Sequence, residues 1–239
     1  MFETVVRDGV LQVRRPGTRW LSTGWDGGFS TAPAAYNVSV PEGFARTDLA
    51  AYLAERRADA GFDDPGPALL TGVDMHHARG ARSGPVETVA TAGVNNPAAL
   101  PMAPTGDPDP ATEQRPGTVN VVLGTTRALP DGALANLVAV AAEAKAATLL
   151  HETGFPGTTS DAVVVGMDPD GDPATFSGSS TAVGAAARAC VREAVRASLA
   201  ARYETESPPA SVADAPYGVA TNREAAVFVP DPGIKVRLD

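Results

Sequence analysis

One long segment of the chain is apolar on every side of a helix, and this limits the folds that can accommodate it. Residues 134–150 read LANLVAVAAEAKAATLL, so at about 100° per residue both sides of the helix consist mainly of Ala, Val and Leu. A helix with this pattern has to be covered on more than one side. We therefore predict a long helix from about Asp131 to His151 inside a layered structure.

Short apolar segments that are typical of β-strands precede, separate and follow this helix. The first forty residues predict several short strands, with Asp8-Gly9 as a two-residue hairpin turn. The segment 118–125 carries few charges, which is typical of a strand that is buried on both faces. The other predicted strands cover 67–74, 86–94, 161–167 and 224–230. Two further helices are predicted, one over 48–60 and one from Ser180 or Thr181 to Tyr203. A surface loop is predicted at 101–117 and a turn at 168–173.

This order of elements predicts an α/β fold, with a mixed α+β fold as the other possibility. We expect a single domain in which a mixed sheet packs with two long helices, because 239 residues suffice for one well-buried core. Residues 1–203 are predicted to form the catalytic domain. Residues 204–239 are predicted to form a linker and a C-terminal strand or tail that packs on the same domain. The pattern leaves the strand order open.

Charge and composition exclude several classes of protein. There are 19 basic and 28 acidic residues, so the net charge is −9, and such a surface repels nucleic acid. The single cysteine cannot form an internal disulfide, and the absence of a Cys/His cluster argues against a structural metal site. The sequence contains no run of about 18 apolar residues, which a membrane span would require. The N-terminus also lacks the apolar region of a signal peptide. We expect a cytoplasmic protein, with homo-oligomers possible.

Two charged residues lie on the apolar helix. Glu143 and Lys145 are two positions apart, so their side chains do not form a same-face pair. A carboxylate on such a helix has to be paired, protonated or directed into a polar pocket, which makes Glu143 a candidate general base or substrate contact. The alternative is a structural partner of the backbone or of an arginine. Lys145 is a candidate catalytic residue, and its alternative is a lysine that reaches towards the helix end.

Three turns contribute further candidates. The segment Gly157-Thr158-Thr159-Ser160-Asp161 concentrates hydroxyls, a carboxylate and flexible backbone, so it can bind an oxyanion or present a nucleophile; an ordinary turn is the alternative. Asn95 and Asn96 follow a predicted strand, where amides can bind a polar ligand. The turn with Trp25, Gly27 and Gly28 can place an aromatic surface against a large flat ligand, or it is simply a hairpin turn.

The order of several segments resembles the adenosylcobinamide amidohydrolase family. The matching segments cover most of residues 19–200, and they are RWLSTGWDGGFSTAPAAYNVSV (19–40), LLTGVDM (69–75), VETVATAGVNNP (86–97), GTVNVVLGTTRALPDGALANLVAVAAEAKAATL (117–149), GTTSDAVVVG (157–166) and STAVGAAARACVREAV (180–195). Asn120 lies in one of these segments and is added as a substrate-binding candidate. The segment after Tyr203 matches no part of the family pattern, and the family's Gly/Thr-rich segment is often longer than the one found here.

This resemblance implies hydrolysis of the amide that joins aminopropanol to a corrin propionate in adenosylcobinamide. The substrate is a corrinoid that brings its own cobalt, so no cofactor held by the protein is expected. Our mechanistic hypothesis is that Glu143 activates a water while Lys145 polarises the carbonyl or holds a carboxylate; Thr159 or Ser160 as a covalent nucleophile is the rival. A further variant is self-cleavage at Gly117-Thr118. A non-catalytic corrinoid-binding module and a structural subunit of an assembly are the alternative functions.

Overall fold

The computed structural model describes residues 1–104 and 119–230. Two short 3₁₀ turns, Met75–His77 and Val212–Asp214, accompany the regular elements. The helices are α1 (Leu49–Asp59), α2 (Asp131–Thr153) and α3 (Ala182–Arg202). The strands in this part of the chain are β1 (Glu3–Arg7), β2 (Val10–Arg14), β3 (Arg19–Ser22), β4 (Gly28–Thr31), β5 (Ala34–Ser39), β6 (Ala68–Thr71), β7 (Arg79–Ser83), β8 (Val86–Ala92), β9 (Ala98–Ala99), β10 (Val119–Ala128), β11 (Ala162–Pro173) and β12 (Val219–Ala220).

Two sheets and three helices form four layers. One sheet has the order β1-β2-β5-β6, and the other has the order β4-β3-β11-β10-β8-β7. The sheets bury a shared core between their facing sides, whereas α1 covers the outer face of the first sheet and α2 and α3 cover the outer face of the second. Parallel pairs, β5 with β6 and β10 with β11, occur beside antiparallel ones. The mixed α/β fold predicted from the sequence is confirmed.

The apolar composition of α2 follows from its position. The helix packs against β11 on one side and against α3 on another, and its buried residues include Leu134, Leu137 and Leu149. By length and composition α2 is the one helix of the described residues that is long and apolar enough to cross a membrane, and about half of it is buried in the fold. Its packing explains the apolar pattern as that of a core helix.

Two local predictions are wrong, and both errors have a physical reason. The predicted turn at 168–173 is instead the end of β11, where Asp172 pairs with Arg127 after an irregularity in the register. Gly171 lies directly against the Thr126 carbonyl, so the strand continues through a contact that a Cβ would block. The segment 224–230, predicted as a strand, is irregular and exposed. The last strand of the described chain is β12, which ends at Ala220. Most of the predicted loop at 101–117 lies outside the described residues.

The polar candidates gather at one end of the two-sheet core. The C-terminal ends of β5, β6 and β8 reach this end, together with the N-terminal ends of β10 and β11. Asn120 near the start of β10 pairs with Thr91 in β8 and with Ala162 in β11. The three strands therefore bring the segments that precede β11 and follow β8 to the same place.

Candidate active site

The loop between α2 and β11 surrounds a buried ion pair. Lys145 Nζ contacts Asp161 Oδ2, and the two side chains are only 10% and 11% exposed. The Thr158 hydroxyl donates to Asp161 Oδ1, and the Thr158 N–H donates to Oδ2 at 3.1 Å. Both carboxylate oxygens therefore accept hydrogen bonds within the protein, and the pair fixes the loop to the helix.

Gly157 allows this arrangement because it has no side chain. A Cβ on Gly157 would lie 2.9 Å from Asp161 Oδ2 and 3.6 Å from Lys145 Nζ. The first distance is shorter than a non-bonded contact permits, and the carboxylate cannot move away without losing its partners. Gly157 is predicted from the sequence as a flexible element of the loop. Its role in the structure is to let the backbone lie close to a buried ion pair.

The segment after β8 is joined to this loop. Asn96 Nδ2 donates to Thr159 Oγ1 at 2.6 Å, and the Thr159 N–H donates to the Asn96 carbonyl at 3.1 Å. The Ala98 N–H also donates to the Gly157 carbonyl at 2.9 Å. Asn96 is only 2% exposed, so its amide is a buried donor with a fixed direction. Two turns that the sequence offers as separate candidates therefore lie in contact with each other.

Asn120 belongs to a buried amide network that links the two sheets. Its Nδ2 donates to Asn37 Oδ1 and to the Leu70 carbonyl, both at 2.8 Å, while Asn37 Nδ2 donates to Thr91 Oγ1 at 2.9 Å. The carbonyl of Leu70 fixes which end of the Asn120 amide is the donor. Asn120 Oδ1 is buried and has no hydrogen-bond partner among the described residues. Asn37 is not among the residues predicted from the sequence, because its only signal is an amide within the apolar strand AAYNVSV.

A cavity of about 290 Å³ opens beside Asn95 and Asn96. Tyr203 donates its hydroxyl to Asn95 Oδ1 at 3.3 Å and accepts the N–H of Val94 at 2.9 Å. Burial raises the pKa of Tyr203 above its usual value, so the hydroxyl stays protonated and orients the Asn95 amide. The cavity walls come from the segment after β5, the end of β6, the segment after β8 and the C-terminal segment, and their residues are Val40, Pro41, Glu42, Gly43, Phe44, Gly72, Asn95, Asn96, Pro216 and Tyr217.

Comparisons with known proteins identify the family of this chain. The family model described as adenosylcobinamide amidohydrolase matches residues 2–207. The chain belongs to the adenosylcobinamide amidohydrolase family. A curated adenosylcobinamide amidohydrolase of Halobacterium salinarum is 59% identical over 96% of this chain and 100% of that protein. One of Methanosarcina mazei is 27% identical over 77% of this chain and 91% of that protein. Among solved structures, a β-aminopeptidase of Burkholderia sp. is similar with a TM-score of 0.42 and 16% identity, over 81% of this chain and 79% of that one.

Glu143 lies apart from the loop that contacts Lys145. Its side chain is 64% exposed and its Oε2 lies 3.3 Å from Arg188 Nη1 on α3. Lys145 faces the loop instead, because two helical positions differ by about 200° in direction. The sequence left open which side of an apolar helix faces the loop, and the structural alternative of an arginine partner is the observed arrangement.

The turn with Trp25 lies at the same end of the six-stranded sheet. The Thr23 N–H donates to the Val163 carbonyl at 2.9 Å, which places the turn beside the first residues of β11. Asp26 and Gly28 adopt positive φ values of 49° and 100°. The Trp25 side chain is 48% exposed. Gly27 packs against the Ser22 carbonyl, so the two glycines serve the turn itself. Among the described residues, no group of three or more His, Cys, Asp or Glu side chains forms a metal site.

Glu143→Gln tests the general base predicted from the sequence. Because the Glu143 carboxylate is exposed and apart from the Lys145 loop, we expect turnover within about twofold of the unaltered protein, as for other exposed ion pairs. Steady-state rates on adenosylcobinamide and a far-UV circular dichroism spectrum provide the measurement and its folding control. A folded variant that loses orders of magnitude in rate would restore Glu143 as the base.

Proposed function

We propose that this protein hydrolyses adenosylcobinamide to adenosylcobyric acid and aminopropanol in the salvage of incomplete corrinoids. The family membership and the 59% identical relative support the reaction. The observation that supports the location of the active site is the 2.6 Å hydrogen bond between the buried Asn96 amide and the Thr159 hydroxyl. Asn96 also lines the cavity, so this bond joins the loop to the cavity. We further propose that the protein works in the cytoplasm and that cobalt enters only with the substrate.

The size of the cavity indicates which part of the substrate enters it. At about 290 Å³ it lies at the lower end of small-molecule sites, which span roughly 300–1,000 Å³. A corrin macrocycle with its adenosyl ligand is far larger than such a space. The propionamide arm with aminopropanol is small enough. We therefore infer that only this arm enters, and that the macrocycle remains at the cavity mouth.

The hydroxyl of Thr159 is the nucleophile that we propose. Asn96 donates to Thr159 Oγ1, which stabilises negative charge on that oxygen as it loses its proton. Asp161 is a less suitable base for a water, because both of its oxygens already accept hydrogen bonds from Lys145 and Thr158. Thr158 is likewise committed to Asp161.

The proposed reaction has two steps. First, Thr159 Oγ1 bonds to the amide carbon, the C–N bond breaks, and the hydroxyl proton leaves on the nitrogen of aminopropanol. A water then cleaves the resulting ester and restores the hydroxyl, releasing adenosylcobyric acid. Asn95 is directed by Tyr203 and lies at the cavity wall, so its amide can hold the substrate carbonyl oxygen. Lys145 holds the loop in position through its ion pair with Asp161.

The function is tested by incubating the purified protein with adenosylcobinamide at low and at molar salt. Chromatography with mass detection should find adenosylcobyric acid and free aminopropanol in equal amounts. Corrinoid that binds the protein and is recovered intact would instead favour a binding module. Unchanged corrinoid without binding, from folded protein, would overturn the proposed substrate.

An intact mass of the same protein tests the nucleophile independently of the function. We expect one full-length species before the reaction. Two fragments that meet between Gly117 and Thr118 would move the nucleophile to the new N-terminal threonine, a position outside the described residues. The hydrolysis would stand in that case, while the role of Thr159 would not.

A further inference from the structure

The cavity has one wall that the family model does not include. The model ends at residue 207, but the chain turns back and places Pro216 and Tyr217 at the cavity. We call residues 211–222 the C-terminal arm.

The arm is held in place by backbone hydrogen bonds to the segment after β8. The Tyr217 N–H donates to the Asn95 carbonyl at 3.3 Å, and the Val219 N–H donates to the Pro97 carbonyl at 2.9 Å. The Thr221 N–H donates to the Ala99 carbonyl at 2.9 Å. Strand β12 of the arm thereby extends β9 in parallel. The arm is thus attached directly to the segment that carries Asn95 and Asn96.

The arm also has an internal structure of its own. The 3₁₀ turn Val212–Asp214 is capped by Ser211, whose Oγ accepts the Asp214 N–H at 3.3 Å. Gly218 packs on this turn, and a Cβ there would lie 2.8 Å from both the carbonyl oxygen and Cγ1 of Val212. Gly218 therefore controls how the arm folds without lining the cavity itself.

The arm presents a large aromatic side chain at the cavity. Tyr217 lines the cavity wall and is 45% exposed. Aromatic rings at the wall of a cavity are typical of small-molecule sites, whose walls are mainly hydrophobic and aromatic. The cavity itself is too small for a macrocycle, so a substrate with a large apolar body has to rest on the surface next to it.

We propose that the C-terminal arm is a specificity wall and that Tyr217 packs its ring against the corrinoid body outside the cavity. The inference rests on the proposed function, because the occupant is the macrocycle of that substrate. In this arrangement Asn95 and Asn96 bind the amide arm, and Tyr217 holds the part of the substrate that distinguishes it from a small linear amide. The ring contributes to binding and not to the chemical step.

Tyr217→Ala tests this proposal. We expect KM for adenosylcobinamide to rise about five- to tenfold with kcat retained, as for the loss of one aromatic contact. Affinity for the product adenosylcobyric acid, measured by calorimetry without turnover, should fall by the same factor. Tyr217→Phe should keep the affinity, because the ring and not the hydroxyl makes the contact. Phe176→Ala removes a 73% exposed ring elsewhere on the surface and should change neither constant.

Gly218→Ala provides a second variant, in which the chemical identity of every cavity residue is unchanged but the arm is displaced. Displacing the arm should raise KM at least as much as Tyr217→Ala, with the circular dichroism spectrum and kcat preserved. If the protein without substitutions is active and Tyr217→Ala has the same KM and the same product affinity, the specificity wall is overturned. The proposed function is left intact in that case. Lack of turnover and of product binding in the unaltered protein would overturn the function itself.

Discussion

Lys145→Met is expected to destabilise the protein and to abolish turnover. The variant leaves the Asp161 carboxylate buried without its cation, since both side chains are about nine-tenths buried. Removing one partner of a buried ion pair costs about 3–5 kcal/mol in the free energy of unfolding. The loop loses its attachment to α2 at the same time, so Thr159 is no longer held opposite Asn96. Urea unfolding followed by circular dichroism measures the first effect, and adenosylcobinamide hydrolysis measures the second.

A double variant separates the contribution to folding from the contribution to activity. Apolar groups that replace both partners of a buried ion pair are often nearly neutral for stability. Lys145→Met combined with Asp161→Leu should therefore recover part of the lost stability, less what Thr158 loses with its carboxylate partner. Turnover should remain absent, because the loop geometry and the positive charge are both gone. Recovery of turnover together with stability would show that the pair is needed for folding alone.

An exposed ion pair of the same helix provides the control. Glu152 on α2 bonds Arg196 on α3 at 2.8 Å, with side-chain exposures of 30% and 52%. Glu152→Gln should leave the unfolding midpoint and the turnover nearly unchanged, because water already solvates this pair. If Lys145→Met unfolds at the same urea concentration as Glu152→Gln, the buried pair contributes no stability and does not hold the loop on α2.

The elements of the fold that depend on neighbouring residues could be predicted from the sequence. Asp8-Gly9 forms the expected hairpin turn, with φ of 46° and 73° at the two positions, because such a turn depends on those two residues alone. The predicted helix at 48–60 is confirmed as Leu49–Asp59. The strand predicted at 224–230 does not form, because a strand depends on residues elsewhere in the chain. A short apolar segment needs a neighbouring strand to form one itself, and the sequence does not say whether such a strand is present.

The site was predictable in its parts but not in its assembly. The segment 157–161 and the pair Asn95-Asn96 each have a local signal in turn residues, whereas their contact depends on the pairing of β8, β10 and β11. Asn37 stayed hidden, because its role requires the second sheet to lie against the first. The apolar helix concealed the difference between Glu143 and Lys145, since an apolar pattern on every side does not identify the side that faces the loop.

Thr159→Val is expected to reduce turnover by at least about a thousandfold, as for the loss of a nucleophilic hydroxyl. Valine keeps the shape of the side chain and removes only the oxygen that accepts from Asn96 Nδ2 at 2.6 Å. Thr159 is partly exposed, so the variant should fold, and circular dichroism with urea unfolding verifies this. Thr159→Ser keeps a hydroxyl at the same place and should retain measurable turnover.

Thr158→Val distinguishes the proposed nucleophile, Thr159, from its neighbour. Thr158 donates its hydroxyl to Asp161, so its loss leaves a buried acceptor unsatisfied and should cost about 1–3 kcal/mol in stability. Its turnover should fall less than that of Thr159→Val, because no bond is made to the substrate at this position. The reverse order of the two variants would assign the reactive hydroxyl to Thr158.

The covalent step itself gives a signature that a water-activated reaction lacks. Rapid acid quenching during turnover should leave a fraction of the protein heavier by the adenosylcobyric acyl group, and hydroxylamine should release that group as a hydroxamate. The added mass should map to the peptide with Thr159 and be absent in Thr159→Val. An unmodified protein that turns over at the full rate, with Thr159→Val still active, would mean that water attacks the amide directly. The same hydrogen bond from Asn96 would then serve to orient the loop around the substrate.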